Sequence, residues 1–134
     1  MVFIAIITVL SAFLAFLLGL LWYSPMLFGA AWRAALKRKP GAKIPMKMRV
    51  TLCALWLLSA IVYSFVAQAI GLSSVSDYLI FSGLMFLCFS LPVKIMDVIY
   101  AGQARSLIMI EGLYYLTGYI LIGMTHYCAA LIFV

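Results

Sequence analysis

Charge is scarce in this chain, and acid is scarcer still. Of 134 residues 9% are charged, and three of these are acidic, Asp77, Asp97 and Glu111. No charged side chain precedes Arg33. Soluble domains carry about 25% charged and about 45–50% apolar residues, whereas 69% of this chain is hydrophobic. A single water-soluble core of this size could not hide so much apolar surface. Lipid is therefore expected to solvate the excess, around one domain at most.

Other shortages exclude other chemistries. Cys53, Cys88 and Cys128 lie inside apolar runs without CxxC or Cys/His spacing, which argues against a disulfide framework or zinc site. The one histidine, His126, has no ligand partner three or four residues away, so it reads as an interface histidine before a proton relay. No GxSxG, P-loop or GxGxxG occurs, and nucleophilic, phosphate-binding and dinucleotide chemistry lose their usual signatures. The residues name no catalytic set, cofactor or metal. The start, Met1-Val2-Phe3-Ile4, lacks the basic segment of a secretory signal peptide, so the first helix is expected to be retained.

What is present is long apolar runs. Four of them, about 2–23, 50–70, 78–100 and 107–134, approach or exceed the ~20 residues needed to cross a hydrocarbon core. The fold class expected is all-α, with four transmembrane helices. Thr8, Ala12, Ala15 and Gly19, with Ser11 alongside, give the first span a small-residue face for close helix packing. Ala60, Ser64, Ala67 and Gly71 do the same for the second. After Trp22 and Tyr23, which suit an aromatic belt, Ser24 and Pro25 suit an N-cap and a first helical position. A short amphipathic helix over about 25–39 follows, expected in the membrane interface with Phe28, Trp32, Ala35 and Leu36 toward the acyl chains. A first span continuing through a kink at Pro25 is the alternative. Pro40 and Gly41 are expected to stop it.

The basic residues are concentrated. Arg33, Lys37, Arg38, Lys39, Lys43, Lys47 and Arg49 account for seven of nine, giving most of the net charge of +6. Between two apolar runs this is the pattern of a cytoplasmic loop, with Arg33, Lys37, Arg38 and Lys39 placed to contact anionic headgroups. Both termini are then expected outside. Only Trp32 lies near to stack on bases, so a nucleic-acid role is not expected.

The charges that fall within spans are the functional suspects. Folding the third and fourth spans into a hairpin about Ala104 sets Asp97 level with Glu111. Lys94 lies one turn deeper, near Tyr114 and Tyr115, and shares a helix face with Asp97. Two readings stay open for Lys94, Asp97, Glu111, Arg105 and Tyr115. Lys94 bridges both carboxylates with help from Arg105 and fixes the hairpin, or one carboxyl exchanges a proton or ligand.

Gly19, Trp22, Tyr23, Ser24, Pro25, Phe28, Gly29 and Trp32 spell G-x-x-W-Y-S-P-x-x-F-G-x-x-W. This run resembles the signature of a bacterial integral-membrane family catalogued as domain of unknown function 1761. The resemblance implies a small four-helix protein of the bacterial cytoplasmic membrane and carries over no activity. The function expected is that of a structural or interaction protein, self-associating or serving as accessory subunit of a larger membrane complex. The alternatives are an oligomeric proton-coupled transporter or channel using Asp97, Glu111 and Lys94, and a membrane enzyme acting on a lipophilic substrate.

Overall fold

The computed structural model describes residues 2–39, 41 and 43–133. Pro40 and Val134, expected to help end the second helix and to close the fourth span, lie outside the described residues. In chain order the elements are α1 (Val2–Trp22), α2 (Gly29–Ala35), α3 (Met46–Ala69), α4 (Val75–Met85), a π-helical turn (Phe86–Ser90), α5 (Leu91–Tyr100) and α6 (Ser106–Phe133). By length and composition four helical stretches can cross a membrane, the third being α4, the π turn and α5 taken together. The all-α, four-span architecture expected from the sequence is the one observed.

The helix ends follow local chemistry. Ser74 caps α4: its hydroxyl accepts the Asp77 N–H at 3.2 Å, and the Asp77 carboxylate accepts the Ser74 N–H at 2.9 Å. This reciprocal capping box starts the third span at Val75 and makes Asp77 part of the helix rather than of the preceding loop. Gly71 was expected on the packing face of the second span. It instead ends α3 at φ 70°, its N–H on Gln68 O and that of Leu72 on Ala67 O, a Schellman motif. At its other end α3 begins at Met46, which places Lys47 and Arg49 on the helix. The π turn ends two residues before Pro92, which has no N–H to give the Cys88 carbonyl; the Leu91 N–H reaches Phe86 O instead, and the ladder widens locally.

The helix most surrounded by the others is α6, which packs against α1, α2, α3, α4 and α5. It belongs to the least apolar span, with mean hydropathy 1.5 against 2.8 for α1. Protein rather than lipid thus faces the polar groups of α6. The buried residues of α1 are Thr8, Ser11, Ala12, Ala15 and Gly19, its small-residue face, and it lies close against α3 and α6. Further along the bundle, away from the basic loop, hydroxyls join three helices. The Tyr63 and Ser82 hydroxyls pair at 2.9 Å, and Ser82 also donates to the carbonyl oxygens of Tyr78 and Tyr119. His126 lies beside Tyr63, with ring centroids 6.2 Å apart. Its Nδ1 lies 3.0 Å from Ile122 O, and its buried Nε2 has no hydrogen-bond partner among the described residues.

Candidate functional site: an aromatic cavity beneath a basic rim

The site is built by the turn between α1 and α2. Neither a helix starting at Pro25 nor a continuous kinked span forms there. The Phe28 N–H reaches back to Trp22 O and the Gly29 N–H to Ser24 O, both at 3.0 Å, while the Ser24 hydroxyl accepts the Met26 N–H at 3.3 Å. These bonds consume the donors that a helix beginning at Pro25 would have used, so α2 starts at Gly29. A Cβ at Gly29 would overlap the carbonyls of Tyr23 and Ser24. Backbone atoms cannot move aside there as a side-chain tip can, which explains the glycine.

The turn delivers two indoles to adjacent residues of α6. Trp22 Nε1 donates to Ile110 O at 2.9 Å, and Trp32 Nε1 donates to Glu111 Oε1 at 2.8 Å. Trp32, expected to face acyl chains, is buried against Leu107 and Ile110. An indole N–H has no acceptor in hydrocarbon, and the Glu111 carboxylate supplies one. Tyr23 packs between Trp32 and Tyr114, tilted to the first and edge-on to the second, with ring centroids 4.9 and 5.1 Å away. Tyr114 takes a hydrogen bond from Trp56 Nε1 and donates to Ala15 O at 3.4 Å. A side chain at Gly19 would run into the Tyr114 hydroxyl. Phe28 completes the motif by packing on Trp22 at 4.8 Å.

The other Glu111 oxygen belongs to the charged hairpin. Lys94 Nζ lies 2.7 Å from Glu111 Oε2 and 2.8 Å from Asp97 Oδ2. The Lys94 and Glu111 side chains are each 14% exposed, that of Asp97 32%. Partners on two elements, Trp32 of α2 and Lys94 of α5, thus occupy both oxygens of Glu111. Arg105 does not join the group: it is exposed and makes none of the ion pairs among the described residues. Tyr115 lies beside the group, on the wall of the cavity below.

That cavity, about 670 Å³, lies between the end of α1, α2, the start of α3 and the first third of α6. Glu111, Tyr114 and Tyr115 of α6 and Gly19, Tyr23 and Trp32 of the signature line one part. Leu20, Leu52 and Leu55 form apolar wall, and Ser24 and Pro25 reach its edge. Arg33, Lys43, Lys47 and Arg49 form the rim. Of the cations expected at headgroups, Arg33 thus borders the cavity, while the Arg38 guanidinium lies 5.2 Å above the Trp32 ring, a cation–π contact. Lys37 and Lys39 lie on the following turn. Lys37 is at φ 53°, and Lys39 is exposed.

Sequence reasoning paired Lys94, Asp97 and Glu111 by depth. It missed Trp32 as the second partner of Glu111, and it missed the cavity. The usable signal was the indole N–H, which needs an acceptor wherever the ring is placed.

No curated protein and no solved structure matches the chain significantly. A family profile described as "Protein of unknown function (DUF1761)" matches residues 6–127. With nearly the whole length covered, the chain belongs to that family.

Proposed function

We propose that the protein is a membrane-embedded binding protein for an anionic amphiphile, with the cavity beneath the basic loop as its site. The single observation that supports this is the composition of the cavity wall. Four cations, Arg33, Lys43, Lys47 and Arg49, line it together with aromatic and aliphatic side chains; Lys43, Lys47 and Arg49 are exposed, whereas Trp32 and Tyr114 are buried. Its volume falls within the about 300–1,000 Å³ of small-molecule sites, whose walls are mainly apolar with a few placed polar groups. An anionic head at the rim with an apolar tail inward satisfies both parts. A free inorganic anion would leave the apolar part unfilled.

Glu111 lies in the wall but is already engaged by Lys94 and Trp32, so it does not repel an anion as a bare carboxylate would. The same engagement weighs against the proton-coupled transporter reading, which needs a carboxyl free to exchange. The membrane-enzyme reading gains no nucleophile and base pair from the cavity wall. The interaction-protein reading keeps one supporting observation: α4 and α5 pack against α6 on one side and leave most of their apolar surface outward. Native mass spectrometry in mild detergent showing only monomers without a co-purified protein would count against it.

The binding proposal is tested by thermal unfolding in mild detergent doped with phosphatidylglycerol or with phosphatidylcholine. A ligand at about 100 times its dissociation constant stabilises the folded state by about 2.7 kcal/mol. The anionic lipid should therefore raise Tm by several degrees in the wild type and by much less in the Arg33→Glu/Arg49→Glu variant. An equal rise with both lipids would refute it.

A further inference from the structure

A second, smaller hollow adjoins the first. It measures about 60 Å³ and is lined by Leu52, Leu55, Trp56, Ser59, Tyr115 and Tyr119. Leu52, Leu55 and Tyr115 also line the larger cavity, so the two hollows share a wall along α3 and α6. α3 and α6 meet directly at Trp56, whose ring lies against Gly118, Tyr115 and Tyr119. Their direct contact is slight beside that of α1 with either of them. Trp56 closes the inner side through its hydrogen bond to Tyr114, and the Tyr119 hydroxyl is tied to Ser90 of the π turn at 3.3 Å.

The length of this path has a meaning. From Arg49 at the rim to Ser59 at the far hollow is ten residues of α3, or about 15 Å at helical rise. Half of a hydrocarbon core of about 30 Å is the same distance. Resting on the binding reading above, we propose that the occupant is a membrane phospholipid with an anionic head. One of its acyl chains lies in the α3–α6 groove from Arg49 to Ser59, and the other stays in the bilayer. The head is held by Arg33, Lys47 and Arg49, and charge complementarity selects it. The groove adds little hydrophobic drive of its own, because lipid tails are already in an apolar medium. It contributes shape, and it ends where Ser59 and Tyr119 close it.

The experiment is photo-crosslinking in liposomes with phosphatidylglycerol carrying a diazirine at the end of one acyl chain. Phosphatidylcholine with the same chain is the comparison, and labelled residues are mapped by mass spectrometry. The expected result is labelling of Ser59, Trp56 or Tyr119 by the anionic probe, several-fold above the zwitterionic one. Outward residues such as Leu58, Val62 and Phe65 should be labelled equally by both. Ser59→Trp should abolish the groove labelling and leave the outward labelling unchanged. Leu55→Trp, at a half-exposed position, should do the same where Ser59→Trp does not fold. Labelling confined to outward residues, with phosphatidylglycerol still raising Tm above phosphatidylcholine, would overturn the chain path alone. Neither groove labelling nor a difference in Tm would overturn the path and the binding reading together.

Discussion

Glu111 is where the signature turn and the charged hairpin meet. One of its oxygens takes the Trp32 N–H and the other the Lys94 ammonium. The roles of these partners differ enough to be separated by substitution. Lys94→Met leaves Asp97 and Glu111 near one another without their shared cation. Removing one member of a buried pair costs about 3–5 kcal/mol, so unfolding in detergent should show a loss near the lower end of that range, given the partial exposure of Asp97. Glu111→Gln keeps an acceptor for Trp32 and removes the charge, and it should cost less, about 1–2 kcal/mol. A larger loss for Glu111→Gln than for Lys94→Met would contradict the bridging geometry. The register of Lys94, Asp97 and Glu111 was legible in the sequence, because depth in a helical hairpin follows from counting residues at fixed rise. The Trp32–Glu111 bond was not. It joins residues 79 positions apart through a turn whose direction is set by backbone bonds that no local periodicity encodes.

At the scale of elements, the turn between α1 and α2 depends on the absence of a side chain at Gly29. Gly29→Ala should be strongly destabilising, by more than about 2 kcal/mol, since overpacking against fixed atoms typically costs 1–3 kcal/mol. Gly83 in α4 offers the contrast, because a Cβ there would meet nothing within 4 Å. Gly83→Ala should be neutral or stabilising by up to about 1 kcal/mol through helix propensity. Thermal unfolding of both variants checks the pair, and equal effects would count against the tight turn. Ser74→Ala should cost about 1 kcal/mol by removing the cap of α4. Helix existence was readable from apolar run length, and helix ends less so. Ser24-Pro25 has the residues of a helix start. The chain uses them for a turn because the next N–H groups find carbonyls behind them. Conversely, Ser74 and Asp77 form a cap whose three-residue spacing stands in the sequence.

For the whole molecule, the ordering of polarity is inverted relative to a soluble bundle. The least apolar of the four spans contains the central helix, and the outward surfaces carry large apolar side chains such as Phe65, Phe89 and Ile99. Composition made the membrane setting legible. It did not make the cavity legible, because a cavity is a property of how four separate elements come together. The orientation expected from the basic loop, with Arg33 through Arg49 on the cytoplasmic side, is checked by Lys43→Cys in a variant lacking the native cysteines. An impermeant maleimide added to intact cells should leave it unlabelled, and efficient labelling would reverse the topology and the leaflet from which the lipid comes.

The most direct test of anionic-lipid capture at the basic rim is native mass spectrometry. The protein would be extracted gently from liposomes containing equal phosphatidylglycerol and phosphatidylcholine. At about 1 kcal/mol per cation near the lipid surface, the wild type should retain phosphatidylglycerol in several-fold excess, and Arg33→Glu/Arg49→Glu should retain the two lipids nearly equally. Equal retention by the wild type, or an excess unchanged in the variant, would contradict the assignment.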